Sequence, residues 1–342
     1  MTAILVVENM GMDKSKVLFI LNRGVLTDFE VSSVELPPEV YYHQFNTLKT
    51  LPRLKFLANK KMLSVIDDII DRHVDHSFTY FCPNSRAPLY RAFISSPKCV
   101  EVNYIEDGMD AYLSKEELLK KFKVPIPVYL KCADAMFKAL PFFYGNRLNY
   151  VGDRFLPDLK GKTSKVFCLT ETAFKNQENN NRIVLSPKKD GHYSKVNLIS
   201  TNIFVFDAVK NQNVVPEKIL YDFVSWFCTD YFKEKKIAIK FHPFQDKNET
   251  DIILKIFDDH KIEAEIIPKD IVLEAAFFNN RELKVYGIGS SLLVYAALFG
   301  VKSVHVLYPF FEYMAKFKSP RLDIWNDVFL KRNDIYVLKR KF

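Results

Sequence analysis

Three short segments of this chain carry side chains suited to group transfer, and each follows an apolar run: Glu106-Asp107-Gly108, Lys240-Phe241-His242-Pro243 and Gly289-Ser290-Ser291. Two adjacent acids repel, which favours proton uptake by one of them and makes the pair a source of a general base for a hydroxyl. His242 is held by Pro243, whose fixed φ ends a strand; there an imidazole can protonate or hydrogen-bond a phosphate oxygen, with the charge of Lys240 nearby. Ser290 and Ser291 follow a Gly287-Ile288-Gly289 turn and open an apolar helix, so their hydroxyls and free N–H groups make an anion cradle. The pattern is neither the dinucleotide fingerprint nor a Walker loop. Taken singly, each segment has a plainer reading: a polar strand exit, a turn, an ordinary helix cap.

The surrounding pattern alternates strand and helix. Strands are expected at 4–7, 17–21, 40–45, 78–82 and 100–105, with helices over 61–72 and from Ser114, where Glu117 completes a capping box. The rhythm resumes with strands at 166–169, 183–185, 203–206, 237–241, 264–267, 284–286 and 304–307 and helices at 217–232, 249–259, 271–280 and 291–299. Such alternation predicts α/β architecture with helices covering parallel sheets. Residues 157–164 are polar, contain both Pro and Gly, and read as a linker between a domain of 1–160 and one of 161–342. The three segments therefore fall at carboxyl edges of sheets, where open α/β folds bind ligands.

Composition narrows the class of protein. With 342 residues the chain is long for one core, and its 48% apolar and 26% charged residues describe a globular protein. Apolar runs are too short to span a bilayer, and the start lacks a basic leader, so the expected compartment is the cytoplasm. Five scattered cysteines read as reduced core thiols. The net charge of +8 favours polyanions, anionic lipid or nucleotide-activated substrates, and basic clusters at 120–123 and 331–341 offer a peripheral contact with the inner membrane. No nucleic-acid-binding motif is present, so nucleic acid is not expected as a partner.

Other candidates have simpler explanations. His73 and His76 with Asp75 lack a third metal ligand, Ser225-Trp226-Phe227 reads as a packed helix face, and His305 as a core histidine. The chain contains no Asp-x-Asp triplet, which argues against a diphosphate-holding metal.

As a set, the acid-acid-Gly, His-Pro and Ser-Ser elements resemble, in type and order, those of bacterial sialyltransferases of GT-B type. These include the lipooligosaccharide sialyltransferases (glycosyltransferase family 52) and the related polysialyltransferases. Ile267-Pro268 followed by Glu274 is similar to the family segment whose glutamate grips the ribose of a cytidine nucleotide, and Lys240 also fits. The resemblance implies two Rossmann-like domains facing a cleft, the first on the acceptor side and the second binding the nucleotide sugar. It also implies inverting, metal-independent transfer of sialic acid from CMP-sialic acid to a galactose-type hydroxyl of a surface glycan or glycolipid, with no cofactor. Glu106 is the preferred base, with Asp107 close behind; His242 assists the leaving CMP; Lys240, Pro243, Pro268, Glu274, Gly289, Ser290 and Ser291 bind the nucleotide. Some such enzymes are homodimers. The rival readings are another GT-B transferase, moving a hexose, Kdo or glycerophosphate, and a non-catalytic polyanion-binding protein.

Overall fold

The computed structural model describes residues 1–21, 30–40, 56–84, 88–113, 165–174, 181–186, 200–207, 216–242, 245–269, 271–307, 312 and 326–339. The expected linker at 157–164, the helix from Ser114, residue Pro243 and the basic cluster at 120–123 lie outside them. The chain divides into two compact units, a first carrying mainly residues 2–24 and 30–188 and a second carrying mainly 189–342.

In the first unit, β1 (Leu18–Leu21) and β2 (Ser32–Glu35) form a parallel pair. A separate parallel sheet runs β3 (Phe78–Cys82), β4 (Cys99–Ile105), β5 (Val166–Cys168), β6 (Arg182–Val184) in that order. β5 and β6 follow residue 160, the expected boundary, in sequence and continue this sheet, β5 pairing with β4 and β6 with β5. The helices Phe56–His73 and Pro88–Ile94 bury Met62, Ile66, Ile69, Leu89 and Phe93 in one cluster, with the Tyr80 ring stacked on Phe93 at 5.0 Å. A fully buried side chain of this kind contributes about 1.5–3 kcal/mol.

One expectation in this unit fails. The strand expected at 4–7 is instead part of the helix Thr2–Asn9, which buries Leu5, Val6 and Val7. Its β-branched run favours a strand locally, but the helix is anchored from outside: the Asn9 amide donates to the Leu5 carbonyl at 2.9 Å and the Ser186 carbonyl at 3.0 Å. Of the strand expected at 40–45, Val40 lies in a helical stretch at 38–40 and joins the apolar cluster, and residues 41–45 lie outside the described residues.

The second unit carries six parallel strands: β7 (Asn202–Val205), β8 (Lys236–Lys240), β9 (Glu263–Ile266), β10 (Lys284–Gly287), β11 (Ser303–Leu307) and β12 (Tyr336–Leu338). Their spatial order is β9-β8-β7-β10-β11-β12, which is 3-2-1-4-5-6 in order of occurrence. That is the doubly wound Rossmann order, and its winding reverses between β7 and β10. A Cβ on Gly287 would stand 2.7 Å from the Val205 carbonyl oxygen, so the absence of a side chain permits the strands to meet at the reversal. One face is aromatic: Phe204 lies 4.6 Å from Phe206, 5.0 Å from Phe227 and 6.2 Å from Phe257. The helix expected over 217–232 runs as Glu217–Trp226 and then widens into a π-type turn over Phe227–Tyr231, which brings both Phe227 and Phe232 into this core.

Among the described residues no helix is long and apolar enough to cross a membrane. Cys82, Cys99, Cys168 and Cys228 are buried thiols outside any disulfide; burial raises Cys168 and Cys228 to about 12, leaving them inert.

Candidate active site

In the first unit, β4 delivers the acid pair to the carboxyl edge of its sheet, and Gly108, at φ +68°, turns the chain into a short helical turn ending at Tyr112. The two acids then part company. Asp107 is exposed, whereas Glu106 is 1% exposed. The Glu106 backbone N–H donates to the Phe167 carbonyl at 2.9 Å, extending the β4–β5 ladder by one rung. Its carboxylate then accepts from the Leu169 N–H at 2.7 Å through Oε2 and from the Tyr112 hydroxyl at 2.6 Å through Oε1. The carboxylate thereby replaces the carbonyl that would have met the next strand N–H. Thr170 Oγ1 donates to the Tyr112 oxygen at 3.2 Å and lies 3.1 Å from the exposed Thr172 hydroxyl. A line of hydroxyls therefore runs from the surface to the buried acid, Thr172 to Thr170 to Tyr112 to Glu106. Arg182 holds this turn by donating to the Glu171 and Phe174 carbonyls at 2.8 and 3.0 Å.

The second unit gathers its expected residues along one edge. His242 follows β8, Pro268 follows β9, and Gly289 to Ser291 follow β10, all at the carboxyl ends of parallel strands. Since β8 and β10 both neighbour β7, their ends are separated by two strand spacings, roughly 10 Å, about the span of a nucleoside monophosphate. Gly289 takes φ +99°, a region open chiefly to glycine, and Ser290 caps the helix Ser291–Leu298 by accepting from the Leu292 N–H at 3.3 Å. A hydroxyl accepts and donates at once, so the Ser290 proton remains able to point at an anion. Ser291 and Glu274, the latter in the first turn of the helix Leu273–Asn279, are half-buried.

Lys240 is anchored within this edge. Its ammonium donates to the carbonyls of Pro268 at 2.5 Å, Lys269 at 3.3 Å and Ile271 at 2.8 Å. Those bonds clamp the end of β8 to the segment leading into the Glu274 helix, so Lys240 shapes the edge as well as carrying charge there.

Sequence reasoning missed the groups that hold the imidazole segment. The His242 N–H donates to Gln245 Oε1 at 2.7 Å and the Gln245 N–H donates back to the His242 carbonyl at 2.9 Å. Gln245 Nε2 in turn donates to Glu249 Oε1 at 2.9 Å, and Glu249 is 0% exposed. The available signal was Asp246 followed by Glu249, a helix start in which a glutamate three residues on normally reaches back. Tyr112 and Thr170 carried no comparable signal.

The remaining candidates keep plain roles. His73 and His76 are exposed, and among the described residues no three His, Cys, Asp or Glu side chains cluster closely enough to hold a metal. Trp226 meets Tyr231 edge-on at 5.0 Å. His305 is stacked between Tyr286 at 5.0 Å and Tyr336 at 5.2 Å, with Nε2 2.8 Å from the Ser303 hydroxyl. Burial, followed by the charge of Lys284, lowers its pKa to about 4.

A Rossmann-ordered parallel sheet with serine hydroxyls, a histidine and a carboxylate along its carboxyl edge places the second unit in the α/β class. The comparisons with known proteins are more particular. The model of the alpha-2,8-polysialyltransferase (POLYST) family matches residues 29–308, a span that includes all three segments. The chain belongs to that family, one of glycosyltransferases. The search of solved structures returns an S. aureus MnaA–UDP co-structure, with 10% identity, 86% of this chain and 78% of that one covered, and a TM-score of 0.43. No curated protein sequence matches the chain with statistical support. Family membership agrees with the resemblance to polysialyltransferases; the narrower likeness to family 52 and to lipooligosaccharide enzymes is not part of the match.

Proposed function

We propose that the chain is an inverting sialyltransferase of GT-B type that takes sialic acid from CMP-sialic acid and transfers it to a hydroxyl of a bacterial surface glycan. The observation that carries this reading is the family match, because it spans the acid pair, the His-Pro segment and the serine pair in one alignment. The arrangement of the second unit supports it: the edge at the winding reversal offers hydroxyls and N–H groups for one phosphate, an imidazole, and a half-buried carboxylate, Glu274, suited to ribose hydroxyls.

In the proposed reaction the sialyl centre gains oxocarbenium character as its bond to the phosphate oxygen lengthens. Ser290, Ser291 and the N–H groups of the Gly289 turn take up the charge growing on the phosphate, and His242 donates a hydrogen bond or proton to it. The acceptor hydroxyl loses its proton to the Glu106–Asp107 pair as it attacks, so a single displacement inverts the anomeric centre. Two routes lead to the pair. Asp107 is reached directly; Glu106 is reached through the Thr170 and Tyr112 hydroxyls, whose donors point toward its carboxylate. A monophosphate leaving group needs less charge compensation than a diphosphate, which suits a site of hydroxyls and imidazole with no metal. The +8 charge favours an anionic acceptor, such as a glycan already bearing sialic acid, and a place at the anionic inner-membrane surface.

The test is a thermal-shift panel of CMP, CMP-sialic acid, CMP-Kdo, CDP-glycerol and UDP-sugars. Strong stabilisation by CMP-sialic acid and CMP alone is the expected result. Preferential stabilisation by a UDP-sugar or CDP-glycerol would overturn the donor assignment.

A further inference from the structure

The His242 segment is held by a chain of hydrogen bonds whose direction is fixed by the His242 backbone N–H and which ends on a buried carboxylate. Glu249 sits three residues after the helix-capping Asp246, its own N–H donating to Asp246 Oδ1 at 2.8 Å. The Glu249 carboxylate is 0% exposed and accepts from the Gln245 amide, while at the other end the backbone N–H of His242 can only donate. The His242 N–H therefore takes Gln245 Oε1, which leaves the NH2 to donate to Glu249. The opposite amide orientation would set donor against donor at His242 and acceptor against acceptor at Glu249. Phe241, stacked on Phe206 at 5.3 Å, fixes the same segment from the core side.

We propose that Gln245 and Glu249 are positioning residues for His242: buried Glu249 anchors the Gln245 amide through its NH2, and that amide holds the His242 backbone where its imidazole meets the leaving phosphate. The proposal rests on the transferase reading for the word leaving, and on geometry alone for the rest. It predicts that side-chain polarity along the chain matters more than the identity of either residue.

A polarity swap tests this. Q245E sets two carboxylates against each other in a buried place, whereas Q245E combined with E249Q restores one donor and one acceptor at each joint, with the charge moved by one position. Q245M removes the polar link without adding charge and serves as the foldable single variant. Two readouts are taken on full-length protein whose fold is checked by circular dichroism: CMP release from CMP-sialic acid, and the NMR titration of the His242 imidazole, assigned with H242Q. Misplacing a reacting group by about 1 Å costs on the order of 100-fold, so Q245M is expected to lower kcat by about 10- to 100-fold with KM for the donor changed less than about threefold. Its His242 resonance is expected to move and broaden, and the double swap to recover most of both. A Q245M protein with wild-type kcat and an unmoved His242 resonance would overturn the proposal, as would a folded double swap with both readouts no better than those of Q245M. Should wild-type protein release no CMP, the transferase reading fails, while the NMR titration still decides the positioning role.

Discussion

Replacing Glu106 separates its two tasks, because the same carboxylate anchors the sheet edge and is a candidate base. In E106A the Tyr112 hydroxyl and the Leu169 N–H, now at 2.6 and 2.7 Å from the carboxylate, both lose their acceptor in a place that is 1% exposed. Each buried donor left without a partner costs about 1–3 kcal/mol, a large part of the 5–15 kcal/mol that holds a typical domain. Loss of activity in E106A therefore reports unfolding as much as chemistry. E106Q keeps the volume; its oxygen can accept from Leu169 while the Tyr112 hydroxyl turns to accept from the new NH2, so the expected cost is only about 1–2 kcal/mol. The amide cannot take a proton, and removal of a general base lowers turnover about 10²- to 10⁴-fold. Urea unfolding gives the stability of each variant, and CMP release in the presence of acceptor gives turnover, with D107N measured alongside. A folded E106Q protein that turns over within about threefold of wild type, while D107N is inactive, would refute the role of Glu106 as proton acceptor and leave it as an anchor beside Asp107.

Other expectations follow from the second unit. In K240M the carbonyls of Pro268, Lys269 and Ile271 lose their ammonium partner, so CMP affinity is expected to fall about tenfold by isothermal titration as the Glu274 helix shifts; unchanged affinity would refute the clamp. G287A places a methyl 2.7 Å from the Val205 carbonyl oxygen and 2.8 Å from its Cγ2, and overpacking of this kind costs about 1–3 kcal/mol, read as a lower urea midpoint. His305 titrates at about 4 in the folded protein and near 6.5 when unfolded, so the unfolded chain takes up the proton first as pH falls. Its contribution is fully present above about pH 6.5 and is lost as pH drops toward 4; each pKa unit corresponds to about 1.4 kcal/mol, discounted to about 1–2 kcal/mol in all for its partial exposure, and H305Q is expected to flatten that part of the stability curve.

Much of the second sheet was legible because its strands are buried on both faces and therefore read as short continuous runs, as in Ile203-Phe204-Val205 and Val304-His305-Val306-Leu307. The strand β2 was hidden because Ser32-Ser33-Val34-Glu35 is mostly exposed and has no apolar run to betray it. The N-terminal helix was misread because Ile4, Val6 and Val7 favour a strand, and only a distant partner, Ser186, shows what the segment docks against. The candidate site divides in the same way. His242, Ser290 and the acids stand out by type and by their place after strands, whereas Lys240 acquires its clamping role only from loop carbonyls 28 to 31 residues away. Tyr112 and Gln245 matter through a few hydrogen bonds each, and the sequence carries no periodic trace of such bonds.

The most direct measurement of the central claim is CMP released by purified protein from CMP-sialic acid, with galactose-terminated and sialic acid-terminated acceptors supplied in parallel and the product linkage read by mass spectrometry and NMR. The account predicts acceptor-dependent release with one inverted sialyl linkage formed per CMP, abolished in H242A protein that remains folded. Folded wild-type protein that binds no CMP and transfers no sialic acid to either acceptor would contradict it.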